Sequence, residues 1–294
     1  MKKFRGLGVA LVTPFDQNGA IDLQALDRLV CFQIEQKVDY LVVLGTTAET
    51  ATLTTDEKVA LLERIKKINN NKLPIVLGIG SNDTYGLLRQ LDNYDLDGVD
   101  AILSVCPYYT KPSQEGIFLH FSALARKTDL PVILYNVPGR TGVSIEVNTV
   151  KRLRKAHSNI IGIKEASGDL STISALKEEL PQDFQVISGD DFTTIPAIGL
   201  GAEGVISVIG QSIPNIFGRG VRAALSGNLK DANLVHESIQ HFCELNFQEG
   251  NPTGIKSSLS NMNLINPYLR LPLVSATSEL RSLISAEMIR LEAL

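Results

Sequence analysis

The residues best suited to chemistry stand at the ends of short apolar runs. Ile160-Ile161-Gly162-Ile163-Lys164 delivers an amine after four residues with no polar side chain, and Glu165 follows it. Burial disfavours an ammonium, and the free amine it leaves is a nucleophile toward carbonyl carbon. A lysine there can instead snorkel to solvent or pair with Glu165. Tyr135 closes a neighbouring run, and its phenol both donates and accepts, as a proton relay requires. The plainer alternative is a core aromatic with a satisfied hydroxyl. Thr46 and Thr47 follow Gly45, so hydroxyls and backbone N–H groups lie together where a small carboxylate binds. The same residues also suit a simple helix start with Thr47 or Thr54 as N-cap. Arg140, in Pro138-Gly139-Arg140-Thr141-Gly142, is either a bidentate carboxylate clamp or a surface arginine in a turn.

Positioning these groups falls to a regular alternation of elements. Apolar runs at residues 8–13, 40–45, 75–80, 101–106, 132–136, 160–164, 185–188 and 204–208 predict eight strands, most of them continuously hydrophobic as in parallel sheets buried on both faces. Residues 56–69, 87–96, 113–127, 145–156 and 171–180 predict intervening amphipathic helices; Val59, Leu62, Ile65 and Ile68 share one face of the first. Eight such units favour a (β/α)8 TIM barrel, whose reactive groups gather at the C-terminal strand ends. The rival is a doubly wound sheet, but Val12-Thr13-Pro14-Phe15 follows the first strand in place of a glycine-rich pyrophosphate turn. From Gly227 the pattern becomes helical through Leu294. The expected organisation is a barrel over 1–226 and a helical extension over 227–294 packed on it.

Composition limits the partners. With 44% hydrophobic and 20% charged residues the chain can bury a sizeable core, and a net charge of -4 offers no basic field for nucleic acid or anionic membrane. Cys31, Cys106 and Cys243 are odd in number and widely spaced, and His236 and His241 lie five apart on one predicted helix. Neither set suggests a disulfide framework or a metal site. The basic start Met1-Lys2-Lys3-Phe4-Arg5 leads into a run broken by Gly6, Gly8, Thr13 and Pro14, which reads as a strand and not a signal peptide. No apolar run approaches the ~20 residues of a membrane span. A reducing cytoplasm is expected.

Taken together, the motifs resemble the dihydrodipicolinate synthase and N-acetylneuraminate lyase superfamily. The resemblance runs over most of the barrel: Gly8–Phe15, the Gly-Thr-Thr-x-Glu run at 45–49, Pro107-Tyr108-Tyr109, Tyr135-Asn136-Val137-Pro138-Gly139-Arg140-Thr141-Gly142, and Gly162-Ile163-Lys164-Glu165-Ala166-Ser167-Gly168-Asp169. It implies that Lys164 forms an imine with pyruvate, that Tyr135 relays protons with Thr46 and Tyr109, and that Tyr109 reaches across a dimer interface. It also implies that Thr47 holds the pyruvate carboxylate and Arg140 that of L-aspartate-4-semialdehyde, with the backbone carbonyls of Gly189 and Ile206 near the lysine. The implied reaction is an aldol-type condensation to 4-hydroxy-tetrahydrodipicolinate, the first committed step of the diaminopimelate route to lysine, in a homotetramer of paired dimers. Because the protonated imine nitrogen is the electron sink, no metal or organic cofactor is called for.

Two positions depart from the family pattern. Ala48 stands where the run usually has glycine, so either its φ is negative or the turn differs. At the effector site of lysine-inhibited members, the resemblance points to Ala51, Thr55, Lys58, Asn82 and Tyr108, with Gly86 in place of an acid. A cationic effector then loses its partner and meets Lys58, so feedback inhibition by lysine is expected to be weak or absent. Within the superfamily the alternatives are a sialic acid lyase and a 2-keto-3-deoxy sugar acid aldolase using the same imine. Outside it stand an inactive metabolite-binding barrel and a phosphate-handling isomerase, though Asp190, Asp191 and Glu203 would repel phosphate.

Overall fold

Runs that are apolar without alternation bury both faces of a strand, and this chain lays down its whole sheet that way. The computed structural model describes residues 3–294; Met1 and Lys2, the start of the basic N-terminal run, lie outside the described residues. Strands β1 (Gly6–Ala10), β2 (Tyr40–Val43), β3 (Ile75–Gly78), β4 (Ala101–Val105), β5 (Val132–Asn136), β6 (Ile160–Glu165), β7 (Gln185–Ser188) and β8 (Gly204–Ser207) pair in parallel and in chain order. β8 pairs back with β1, Gly6 opposite Gly204, so the sheet closes and the doubly wound alternative is excluded. The predicted ends of β2 ran slightly too far, because Leu44 turns to a left-handed φ of 57° and leaves the ladder.

The crossovers are helical. They comprise α1 (Leu23–Glu35), α2 (Thr55–Asn69), α3 (Thr84–Leu91), α4 (Gln114–Lys127), the single turn α5 (Pro138–Thr141), α6 (Val147–Ala156), α7 (Leu170–Glu179), α8 (Thr194–Gly199) and α9 (Pro214–Leu225). Their starts are chemically specified: Thr54 and Glu57 form a reciprocal capping box on α2, and Ser113 and Asp169 cap α4 and α7. Beyond α9 come α10 (Leu229–Gln248), α11 (Thr253–Asn261) and α12 (Ser278–Arg290). The expectation of a wholly helical end is corrected here: residues 262–277 form a non-helical strap, since Pro267 and Pro272 cannot continue a helix. Among the described residues no helix is long and apolar enough to cross a membrane.

Two apolar layers hold the barrel. One lies between sheet and helices and includes Leu26, Leu62, Phe121, Leu153 and Phe217. The other fills the interior with Val42, Val76, Leu103, Ile133, Ile187 and Ile206. At its N-terminal end the Tyr40 ring crosses the interior and meets Phe4 edge-on, 5.5 Å between centroids. A Cβ on Gly8 would lie 2.2 Å from that ring, so only glycine lets the floor close.

Candidate active site

The closed sheet brings Tyr135 and Lys164 to the same level on adjacent strands, where they are register partners. Lys164 Nζ lies 4.2 Å from the centroid of the Tyr135 ring. Lys164 is 6% exposed and Tyr135 7%, so both are largely removed from water at the C-terminal rim. The alternative pairing with Glu165 does not occur. Glu165 faces away and accepts hydrogen bonds from Asn136 Nδ2 (2.8 Å) and the Ser167 N–H (2.8 Å). Burial raises its pKa, and those two donors partly offset the rise.

Lys164 has room only because the residue following the neighbouring strand β7 is Gly189. A Cβ there would stand 2.8 Å from Lys164 Cε, 2.9 Å from its Cγ and 2.6 Å from Ala166 Cβ. Ile206 lies in the interior layer on β8. Just beyond it, the Asp191 carboxylate accepts from the Val208 and Ile209 N–H groups (2.9 and 3.0 Å) and fixes the loop leaving that strand. Complete burial raises Asp191 to about 6.

A cavity of about 620 Å³ opens beside this pair. Thr46, Tyr135 and Arg140 stand on its wall, while Lys164 lies behind the Tyr135 ring. The Thr46 and Tyr135 hydroxyls have no hydrogen-bond partner among the described residues, and both are available to a ligand. Arg140 donates through Nη2 to the Asn251 carbonyl at 3.4 Å, which leaves its remaining N–H groups uncommitted within the described residues. Thr47 sits behind the wall, buried, and its Oγ1 accepts from Asn251 Nδ2 at 3.0 Å. Thr54, not Thr47, is the helix cap.

The turn carrying these threonines answers the question posed by Ala48. Residues 46–48 form a 3₁₀ turn, and the left-handed residue is Glu49, at φ 56°. Ala48 is therefore unstrained, and its carbonyl accepts from Thr13 Oγ1 at 2.7 Å. Tyr109 is the opposite case: at φ 71° and 85% exposed, a bulky side chain is held in a conformation costing roughly 1–3 kcal/mol and left open to solvent. Its N–H donates to the Thr141 carbonyl (3.2 Å), which ties it to the Arg140 turn.

Of the effector positions, Ala51, Lys58 and Tyr108 line the same cavity, whereas Thr55 and Asn82 do not. Burial lowers the pKa of Lys58. Residues not singled out from the sequence complete the wall: Asn251 and Pro252 before α11, and Pro272 and Leu273 from the strap. Their one legible signal was two prolines interrupting a helical pattern.

Fold and site together define an amine-bearing (β/α)8 barrel of the lyase and synthase class. The model of the dihydrodipicolinate synthetase family matches residues 3–289. The 4-hydroxy-tetrahydrodipicolinate synthase of Phocaeicola vulgatus is 49% identical over 272 residues, 92% of each chain. The enzyme of the same name from Parabacteroides distasonis is 48% identical over 270 residues, 92% of this chain and 91% of that one. The crystal structure of dihydrodipicolinate synthase from Thermotoga maritima matches with a TM-score of 0.96 at 38% identity, covering 99% of this chain and 100% of that one. The chain belongs to the dihydrodipicolinate synthetase family.

Proposed function

We propose that this protein condenses pyruvate with L-aspartate-4-semialdehyde to give 4-hydroxy-tetrahydrodipicolinate, through an imine on Lys164. The observation carrying the proposal is the desolvated Lys164 amine against the Tyr135 ring, beside a cavity walled by Thr46 and Arg140. The amine attacks C2 of pyruvate, and loss of water leaves a protonated imine. Loss of a methyl proton gives an enamine, whose carbon bonds to the aldehyde carbon of the second substrate while the aldehyde oxygen gains a proton. The amino group of that substrate then attacks the imine carbon, closing the ring and releasing Lys164. Tyr135, Thr46 and a Tyr109 donated by a second copy move the protons; Thr47 and Arg140 hold the two carboxylates, and the Gly189 and Ile206 backbone borders the lysine.

Support for Tyr109 acting in trans comes from its exposure and strained backbone, and with it we propose a homotetramer of paired dimers. We take 227–294 as an extension of the barrel, since Asn251 and Leu273 line the same cavity as Tyr135. We assign the reaction to the cytoplasm, as a step of lysine biosynthesis, and expect little inhibition by lysine because the cation Lys58 lines the cavity.

Borohydride reduction with pyruvate tests the chemistry: mass spectrometry should place the adduct on Lys164. Lys164→Ala should keep its melting temperature and lose condensation. The parent's rate should hold when lysine is added below millimolar concentration. No adduct, or faster cleavage of sialic acid or ketodeoxygluconate, would overturn the assignment.

A further inference from the structure

A second lysine, far from Lys164 in sequence, is buried more completely. Lys256 Nζ lies 2.5 Å from Glu49 Oε1, with side chains 0% and 1% exposed. Its ammonium also donates to the Tyr268 carbonyl (2.8 Å) and sits 4.3 Å from the centroid of the Phe15 ring. The other Glu49 oxygen accepts from the Arg270 N–H at 3.1 Å. The Arg270 guanidinium lies 4.5 Å from the same ring and donates to the carbonyls of Gly19 and Thr52 and to Glu57. Two cations thus share the Phe15 ring, and each is paired with a carboxylate, Glu49 or Glu57.

Stability alone is a poor reason for this arrangement. Apolar residues of similar volume often replace a buried ion pair without loss, and a cation in the first turn of α11 opposes the helix dipole. What the pair touches is more telling. Glu49 is the left-handed residue that ends the Thr46–Ala48 turn, and its N–H donates to the Thr46 carbonyl at 3.1 Å. Asn251, just before α11, bonds Thr47 on one side and receives Arg140 on the other. Two tethers therefore join the start of α11 to the turn that carries both threonines.

We infer that Glu49 and Lys256 are positioning residues for the condensation, locking the Thr46–Thr47 turn to α11 so that its hydroxyls stand in reacting register with the Lys164 imine. This rests on Lys164 and the two threonines acting as proposed above. Glu49 and Lys256 touch no substrate themselves; they act through the turn. The neutral double variant Glu49→Gln/Lys256→Met leaves no charge stranded. It should melt close to the parent and still give the reduced pyruvate adduct on Lys164, while kcat for condensation falls roughly 10- to 100-fold, the effect of an ångström-scale misplacement. Glu49→Asp, which keeps the charge and shortens the arm by one methylene, should lower kcat several-fold with the adduct intact. A parent that forms the adduct, with either folded variant retaining the parental kcat, overturns the positioning role alone. A parent without the adduct overturns the imine and this role with it.

Discussion

Gly189 and Lys164 share a volume that holds only one of their side chains. In Gly189→Ala the new methyl would meet Lys164 Cγ and Ala166 Cβ, neither of which is a free chain end. Overpacking of this kind costs about 1–3 kcal/mol. We expect a lower melting temperature and imine formation slowed at least tenfold, followed as the rate of borohydride-trappable adduct; an unchanged adduct rate would show that the lysine moves freely. At this scale the sequence was informative where a residue's neighbours in the chain decide its place. Lys164 and Tyr135 end apolar runs, and runs end at a barrel rim. Lys256 was opaque for the converse reason. A lysine within Gly254-Ile255-Lys256-Ser257-Ser258 resembles a surface residue until its partner, from another part of the chain, is seen to be buried with it.

Elements were predicted well where apolar periodicity had one interpretation. β5 and β7 begin and end where expected. α3 was placed too late, at 87–96 instead of Thr84–Leu91, because Tyr94 and Leu96 extend the apolar spacing through a turn. The strap is hidden within a helical pattern that Pro267 and Pro272 interrupt. Two buried groups, one in the loop after β7 and one on α4, set opposing pH dependences. Asp191, raised to about 6 from 3.8, keeps its proton longer in the folded than in the unfolded chain. Its contribution to stability therefore falls as pH rises from about 4 to 6, by on the order of 3 kcal/mol. His120, on α4 and bonded to Thr84 Oγ1, is lowered to about 4 from 6.5 by burial, so its contribution rises through the same window. Asp191→Asn removes the falling part. Denaturant melts at pH 4, 5, 6 and 7 should show stability rising more steeply than in the parent, and parallel curves would contradict the account.

At the scale of the whole molecule, the proposed relay role of Tyr109 calls for a second copy. The left-handed backbone and 85% exposure of Tyr109 support the proposal made above that a second copy completes the site. Chains carrying Tyr109→Phe and chains carrying Lys164→Ala should each be nearly inactive. In a mixed dimer one site regains both groups, so equal co-refolding should recover roughly a quarter of parental activity by random pairing. Recovery of none would place Tyr109 outside the relay. No sequence pattern discloses which neighbour a surface tyrosine will meet, and only the resemblance suggested it.

The crossing of Tyr40 and Phe4 over the vacancy left by Gly8 stoppers the barrel at one end. A missing methyl group thus lets the barrel seal at the end away from the Lys164 amine, beneath an interior already filled by Val42, Val76 and Leu103.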